Sequence, residues 1–403
     1  MSKIILHIDL NAFFVRCEEI RNPSLEGKPV IIGHSGRRGV VSTCSYKARE
    51  YGVKSGMPTF MALEKCPDAI IIHGDYSYYE EMSNKFFKYL ERYSKIIEPA
   101  SIDEGYIDLT TYLKNKSDAY KEIKAIQDGL YKETSLMCSI GVAPTKFLAK
   151  MASDMKKPMG ITILRRKDIK EKLYPLPIED FYGIGKKTTP ELRKMGINTI
   201  GDLADKINNT EELNHFFGKF YYVVKDWVNG FGSDIVDTTP FDPKSIGNSR
   251  TLMKDTNDIE EIKVTLKELC KEVSERAIAQ DKIGTTVQIV LKDNQMVNGS
   301  FKTINRSVSF DRPINDFNNI YFYACSLLEK HLGEHTIRLI GVTLQNLIDK
   351  GEERVQLSIF DNYDEIKEEY ATKLLIADLN RKMKKDVFKT ARENLVEKKY
   401  GVK

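Results

Sequence analysis

Glu98-Pro-Ala-Ser-Ile-Asp-Glu-Gly-Tyr-Ile-Asp108 is the stretch that decides how the chain is read. It lies across two strands, 95–100 and 104–109, joined as a hairpin, with the carboxylates Asp103 and Glu104 at the start of the second strand. A helix over about 76–94 comes before it, and a helix at 117–134 and a strand at Met137–Val142 come after. Lys3 to Asp9, a short β-branched run without a turn residue, supplies an earlier buried strand. The succession is β–α–β–β–α–β, the ferredoxin-like arrangement with helices on one face of an antiparallel sheet. In that order the first strand and the hairpin are sheet neighbours, so Asp9, Asp103 and Glu104 can converge on one edge. Three carboxylates in one place repel one another and need a compensating cation. Hard oxygen ligands select Mg²⁺, which keeps substrate phosphates in its shell. Two such ions, about 3.5–4 Å apart, would hold the attacking and leaving oxygens of a phosphoryl transfer. The ordinary alternative makes Asp9 a turn or cap residue and Asp103-Glu104 an exposed strand start.

Around this core the chain is organised in segments. Residues 11–74 read as an insertion after the first strand: a helix from Ala12 to Ile20 capped by Asn11, strands at 29–34, 39–45 and 69–73, and short helices at 46–51 and 59–66. A helix at 144–156 and a strand at Ile161–Leu164 close the unit. Residues 166–230 look all-helical, with Gly183-Ile-Gly185 and Gly196-Ile-Asn-Thr as short turns between helices. Gly230-Phe-Gly-Ser-Asp and Thr238-Thr-Pro-Phe-Asp-Pro bracket a linker. A second β–α–β–β–α–β succession follows: strand 247–253, helix 257–280, strands 285–292 and 300–310, helix 314–331 and strand 336–345. The two units repeat an order of elements, not a sequence. The last stretch, 361–403, is charged and helical in pattern.

Composition bounds the class. The 403 residues leave room for two to four compact units, and 41% hydrophobic with 30% charged residues excludes a disordered chain. No apolar run approaches the ~18–20 residues that span a bilayer. The segment from Met1 to Asp9 reaches an acidic residue too early for a signal peptide. Six cysteines without a Cys-x-x-Cys pair fit reduced thiols. These features predict a soluble, cytoplasmic protein with no membrane partner.

The net charge of +4 is too small to show a nucleic-acid binder, but its distribution is uneven. Residues 141–200 hold 13 Lys and Arg against 6 Asp and Glu, a basic concentration suited to a phosphate backbone. Inside it, the backbone N–H groups of Gly183-Ile-Gly-Lys-Lys-Thr188 could cradle a phosphate, as in a helix-hairpin-helix element. Walker A spacing is absent. Ser42-Thr-Cys-Ser-Tyr-Lys-Ala-Arg49 runs from a strand into a helix start, where Thr43, Tyr46 and Arg49 could reach one triphosphate, with Lys157 adding a second cation. Each also has a bland account: a cap, a packed tyrosine, a surface arginine, a solvated lysine. His331-Leu-Gly-Glu-His335 formally matches an inverted zinc motif but lacks the unbroken helix and a third ligand.

These pieces, in this order, resemble a Y-family DNA polymerase of the bacterial DinB type. His7-Ile-Asp-Leu-Asn-Ala-Phe-Phe14 looks like the family's first motif, Thr43, Tyr46 and Arg49 like its fingers motif, and residues 98–108 like its paired-carboxylate motif. Ser139-Ile-Gly-Val-Ala-Pro-Thr-Lys-Phe-Leu-Ala-Lys150 and Lys157-Pro-Met-Gly160 match the segment that closes the palm. The resemblance implies an α+β, right-hand polymerase. Its palm would be 1–10 with 75–165, its fingers 11–74, its thumb 166–231 and its linker 232–245, followed by a little finger at 246–347 and a tail at 348–403. By motif position Asp9 and Asp103 would bridge two Mg²⁺ ions (Mn²⁺ as a substitute), Glu104 would ligate the catalytic ion and the Leu10 carbonyl the nucleotide-bound one. Tyr46, Arg49 and Lys157 would bind the triphosphate, with Thr43 and the Phe13 backbone. Phe14 takes the steric-gate position, where its ring would collide with a ribose 2′-hydroxyl. Asn11, where many members carry an acidic residue, and Gly105, where a small apolar residue is usual, depart from the pattern.

Gln356-Leu-Ser-Ile-Phe360 looks like the sliding-clamp binding motif: Gln356 as anchor, Leu357 and the pair Ile359-Phe360 for an apolar groove. The alternative packs Leu357 and Phe360 on the little finger. DNA contacts are expected from Gly183, Gly185, Lys186 and Lys187 in the thumb. In the little finger, Thr303 shares one strand face with Asn305, Ser307 and Ser309, while Arg306 lies on the other. The function expected is template-directed, low-fidelity DNA synthesis past damage, without proofreading. Its partners would be primer-template DNA, deoxynucleoside triphosphates and the bacterial sliding clamp (its beta subunit), and the protein would be a monomer. A nucleotide cyclase with the same core, and a clamp-tethered DNA-binding accessory protein with a dead site, are the rivals.

Overall fold

The computed structural model describes residues 3–352 except Arg37 and Asn298, together with Thr372, Leu375, Ile376, Leu379 and Phe388. The Gln356–Phe360 motif lies outside the described residues, as does nearly all of the tail helix expected at 361–403. Twelve strands are described: β1 (Ile5–Leu10), β2 (Val30–Gly33), β3 (Val41–Cys44), β4 (Ile70–Ile72), β5 (Ile97–Pro99), β6 (Glu104–Asp108), β7 (Cys138–Ala143), β8 (Ile161–Ile163), β9 (Ser245–Thr256), β10 (Lys282–Val297), β11 (Ser300–Ile314) and β12 (Ile337–Asp349). The chain divides into two compact units between Pro240 and Phe241, inside the expected linker.

In the first unit a five-stranded sheet runs β5-β6-β1-β7-β8, and its first four strands reproduce the ferredoxin-like order. β1 is central in the sheet, antiparallel to both neighbours and covered by helices on both faces, so all six of its residues are buried. Side chains alternate across a strand, so β1 serves two cores. Leu6, Ile8 and Leu10 face helices Tyr76–Leu90 and Ala119–Thr134, packing on Tyr79, Phe86, Ile123 and Ile126. Ile5, His7 and Asp9 face the other way, toward helix Lys146–Met155, whose Phe147 and Leu148 share a core with Ile5. The inserted residues form a smaller sheet, β3-β2-β4, around Ile31, Val41 and Cys44.

Asn11 does not cap the first helix, contrary to the sequence expectation. Ala12 takes that position in a left-handed conformation (φ 46°) and helix Phe13–Arg21 has no side-chain cap. Buried Asn11 instead donates to Ser139 Oγ at 3.0 Å and accepts from the Met159 N–H at 2.8 Å. It ties the Lys157-Pro-Met turn to the end of β1.

Helix Lys146–Met155 rests on β7 at Gly141. A Cβ built there would stand 2.0 Å from the Ala149 carbonyl oxygen and 2.3 Å from the Ser153 nitrogen, both backbone atoms that cannot swing aside. Gly141→Ala is therefore expected to destabilise the fold by about 3 kcal/mol, read as a lowered thermal midpoint; an unchanged midpoint would show that the helix packs less closely.

After β8, short helices between Ile169 and Val228 surround Leu192, Ile200, Leu203 and Val224, and Trp227 stacks on Phe147 (4.9 Å between centroids, 10° between planes). In the second unit the strands pair as β11-β10-β12-β9, all antiparallel. The order of elements along the chain repeats that of the first unit, but the sheet does not. Its two central strands are the second and fourth of the succession, whereas among the corresponding four strands of the first unit they are the third and first. Helices Ile259–Ala279 and Phe317–His331 cover one face through Leu266, Leu269, Ile320 and Leu328. Among the described residues no helix is long and apolar enough to cross a membrane.

Candidate active site

β1 and β6 are in register so that Asp9 lies directly opposite Glu104. The two residues are 95 apart in the chain, and only the sheet brings them together. One ligand atom each from His7, Asp9 and Glu104 lies within 4.8 Å of the others. Asp103 sits just outside β6, where its backbone oxygen accepts from the Leu10 N–H at 2.9 Å and fixes the loop against the end of β1. Its carboxylate accepts from Ser101 Oγ at 2.6 Å and is not part of the close group. The negative charges of Asp9 and Glu104 still act on it: burial pushes the Asp103 carboxyl up, and those neighbours push it further.

Lysines oppose this charge. Lys150 Nζ stands 3.1 Å from Asp9 and 2.7 Å from Glu104, and Lys157 Nζ 2.8 Å from Asp9 and 2.8 Å from Asp154. Burial alone would raise the Glu104 carboxyl, but the neighbouring His7 ring and the hydrogen bond from Lys150 hold it well below the usual range. Burial alone would lower the Lys150 ammonium, and the carboxylates of Asp9, Glu104 and Asp154 lift it above its ordinary value instead. His7 is fully buried, its Nδ1 2.8 Å from Ser153 Oγ and its Nε2 3.4 Å from Glu104.

Sequence reading assigned no role to Lys150 or His7. For Lys150 a signal was available: it is flanked by Phe147, Leu148, Ala149, Met151 and Ala152, all buried, and a lysine in such a run is seldom left without a partner. His7, Asp9 and Glu104 together form a group that could hold a metal ion.

The residues expected to bind the triphosphate lie on β3, on the helix after it and on the Lys157 turn. Thr43 is the next-to-last residue of β3, and Ser45 caps helix Tyr46–Glu50 by accepting from the Ala48 N–H. The Arg49 guanidinium lies over the Tyr46 ring at 4.8 Å and donates to the Cys44 carbonyl at 3.2 Å. Burial raises the Tyr46 hydroxyl, and the positive charges of Arg49 and Lys157 pull against that shift, so Tyr46, Arg49 and Lys157 share one neighbourhood with Asp9. Phe13 is buried in the core, while Phe14 is half-buried and stacks on Tyr79.

Known proteins share this organisation. A model described as the impB/mucB/samB family matches residues 8–154, the C-terminal domain of that family matches 243–359, and the IMS family HHH motif matches 166–197. DNA polymerase IV of Oceanobacillus iheyensis is 39% identical over 383 residues, covering 94% of this chain and 89% of its own. A Y-family DNA polymerase chimera of Dbh and Dpo4 superposes with a TM-score of 0.76 at 30% identity, over 86% of this chain and 99% of its own. The chain belongs to the Y family of DNA polymerases. A second solved structure, the insertion ternary complex of Dbh DNA polymerase, is 28% identical with a TM-score of 0.58 over 86% of this chain and 99% of its own.

Within this Y-family chain the two sets of expected DNA contacts fare differently. Gly183 adopts φ +91° and Gly185 accepts from the N–H groups of Thr188 and Thr189, so Lys186 and Lys187 project at an exposed helix start. A depression beside them is lined by Ile184, Gly185, Thr189 and Arg193. In β11, Ile304 is buried toward the helices and Thr303, Asn305, Ser307 and Ser309 are exposed on the other face. Arg306 has the parity of Ile304 and donates to the Asn305 carbonyl at 2.8 Å, so it is not brought together with Thr303.

Proposed function

We propose that this DNA-directed DNA polymerase copies past damaged template bases with low fidelity and without excising its errors. The observation that carries the reading is the register pairing of Asp9 with Glu104 under two lysine ammonium groups, beside the Tyr46–Arg49 pair. Asp9, Asp103, Glu104 and the Leu10 carbonyl would hold two Mg²⁺ ions, or Mn²⁺ in their place, which supply charge neutralisation at the attacking and leaving oxygens. The primer 3′-oxygen forms a bond to the α-phosphorus of the incoming deoxynucleotide, and the bond to the β-phosphate oxygen breaks to release pyrophosphate. Tyr46, Arg49 and Lys157, with Thr43 and the backbone of Phe13, grip the triphosphate and set the line of attack. Phe14 lies under the sugar and excludes a 2′-hydroxyl. Gly183, Gly185, Lys186 and Lys187 hold the primer-template backbone, and in the second unit the exposed β11 face that carries Thr303 contacts DNA. Gln356, Leu357, Ile359 and Phe360 tether the protein to the sliding clamp, a reading supported by their sequence alone, and raise local concentration without altering chemistry. The protein works as a monomer in the cytoplasm.

Primer extension with Mg²⁺ and deoxynucleotides tests this. The parent should extend a matched primer, and a mismatched 3′ end should stay full length when nucleotides are withheld. Shortening of that primer would refute the absence of proofreading, and DNA binding without extension would favour an accessory protein. Arg49→Ala should raise KM for the incoming nucleotide about tenfold or more, the loss of one charged contact to phosphate, with primer-template affinity unchanged.

A further inference from the structure

Phe14 is backed by a second ring. Tyr79, on helix Tyr76–Leu90, stacks on it with 4.4 Å between centroids and 14° between planes. Tyr79 is only 1% exposed, and its hydroxyl donates to Glu18 Oε1 at 2.8 Å. Glu18 stands one turn beyond Phe14 on helix Phe13–Arg21, so Tyr79 spans both residues from the facing helix. Glu18 is 6% exposed, an unusual place for a carboxylate. A carboxylate there needs a strong donor, and a phenol O–H answers that need with a charge-assisted hydrogen bond.

This geometry fixes an angle as well as a contact. A tyrosine has two side-chain torsions, and pinning its hydroxyl at one end while stacking its ring at the other leaves neither free. Gly74 adds a close wall: a Cβ there would meet the Tyr79 ring at 3.2 Å and its hydroxyl at 3.3 Å. We propose that Glu18 and Tyr79 are positioning residues for sugar selection, a rigid brace that keeps the Phe14 ring from yielding to a ribose 2′-hydroxyl. The inference rests on the reading of Phe14 as the gate. A gate excludes by repulsion, and repulsion discriminates only as far as the wall resists displacement. Without the brace the ring can tilt, and a ribonucleotide fits at lower cost.

The experiment compares incorporation of dCTP and CTP opposite a template guanine by the full-length parent, Phe14→Ala, Tyr79→Phe, Glu18→Leu, Glu18→Gln and the double variant Tyr79→Phe/Glu18→Leu. The reading is the ratio of the two kcat/KM values, split into kcat and KM, with thermal midpoints measured alongside. Tyr79→Phe keeps the ring and removes only the hydroxyl. It should cut discrimination about tenfold, through a lower KM for CTP, the scale of one lost hydrogen bond to a charged group. Glu18→Leu should do the same, and the double variant should add nothing, because both break one contact. Glu18→Gln still accepts the hydrogen bond and should restore the parent ratio. A structural defect would depress both nucleotides together and leave their ratio alone. If Phe14→Ala admits CTP while Tyr79→Phe and Glu18→Leu discriminate like the parent, the brace is refuted and the gate stands. If Phe14→Ala still rejects CTP, the gate itself is refuted and the brace with it. Should Glu18→Leu fail to fold, Tyr79→Phe decides alone.

Discussion

Asp103→Asn should lower kcat/KM for nucleotide addition by about a thousandfold or more, the scale of removing a group that stabilises developing charge, while leaving the metal-free protein at least as heat-stable as the parent. The two effects have opposite origins. Asp103 is fixed beside Asp9 and Glu104 by the bond between its backbone oxygen and the Leu10 N–H, which makes it available to a shared cation. In the metal-free protein the same placement is unfavourable, since burial and the charges of Asp9 and Glu104 raise its carboxyl. A carboxyl raised on folding weakens the fold once ionised. That penalty is absent below the ordinary carboxylate pKa of about 3.9, grows as pH rises, and is complete above the raised value. Asparagine removes it at neutral pH. Primer extension and thermal melting without divalent ions measure both limbs. A variant that loses activity and stability together would make Asp103 a structural residue, and undiminished extension would place the metal site elsewhere.

The palm was legible because its signals are local. A continuous apolar run for the central strand, amphipathic spacing in helices 76–90 and 119–134, and the hairpin carboxylates each lie within a few residues of one another. Joined by the ferredoxin-like order, they bring Asp9 and Glu104 to one sheet edge. What escaped is what depends on a second element. Asn11 has the chemistry of a cap and stands where one belongs, yet its amide is used by Ser139 and Met159, more than a hundred residues away. Lys150 stands in an apolar run that calls for a partner, but which partner shows only when helix Lys146–Met155 is laid on the β1 face that carries His7 and Asp9. The Tyr79–Glu18 bond joins two helices across 61 positions and leaves no trace in either helix's pattern. The second sheet shows the same limit: six elements in a familiar order pair differently, because strand order is settled by cross-strand packing and not by succession.

Lys150→Met is expected to produce the second largest effect, and its sign reverses with metal. Lys150 Nζ is held by Asp9 at 3.1 Å and Glu104 at 2.7 Å, with its side chain 13% exposed. Removing the ammonium leaves half-buried Glu104 without its lysine and buried Asp9 with Lys157 alone. The metal-free fold should lose about 2–3 kcal/mol, below the full cost of breaking a buried pair because solvent reaches Glu104. Methionine keeps the length of the stem, so lost packing contributes little. The pH dependence follows from the two shifts. Glu104 is lowered from an ordinary 4.5, so its share of stability is present above that value and is lost as pH falls through the folded pKa. Lys150 is raised from an ordinary 10.5, so its share is complete below that value and is lost as pH rises through the folded pKa. The gap between parent and variant should therefore be widest between those two limits. Mg²⁺ should close it: in the parent a divalent ion must displace the Lys150 ammonium from both Asp9 and Glu104, whereas in the variant Glu104 is free of its lysine and only Lys157 competes at Asp9. Melting temperatures titrated with Mg²⁺ should consequently rise at lower concentration, and further, in Lys150→Met than in the parent. Equal midpoints without metal would mean that the lysine contributes no net pairing energy. A parallel response to Mg²⁺ would mean that the ion binds without disturbing it.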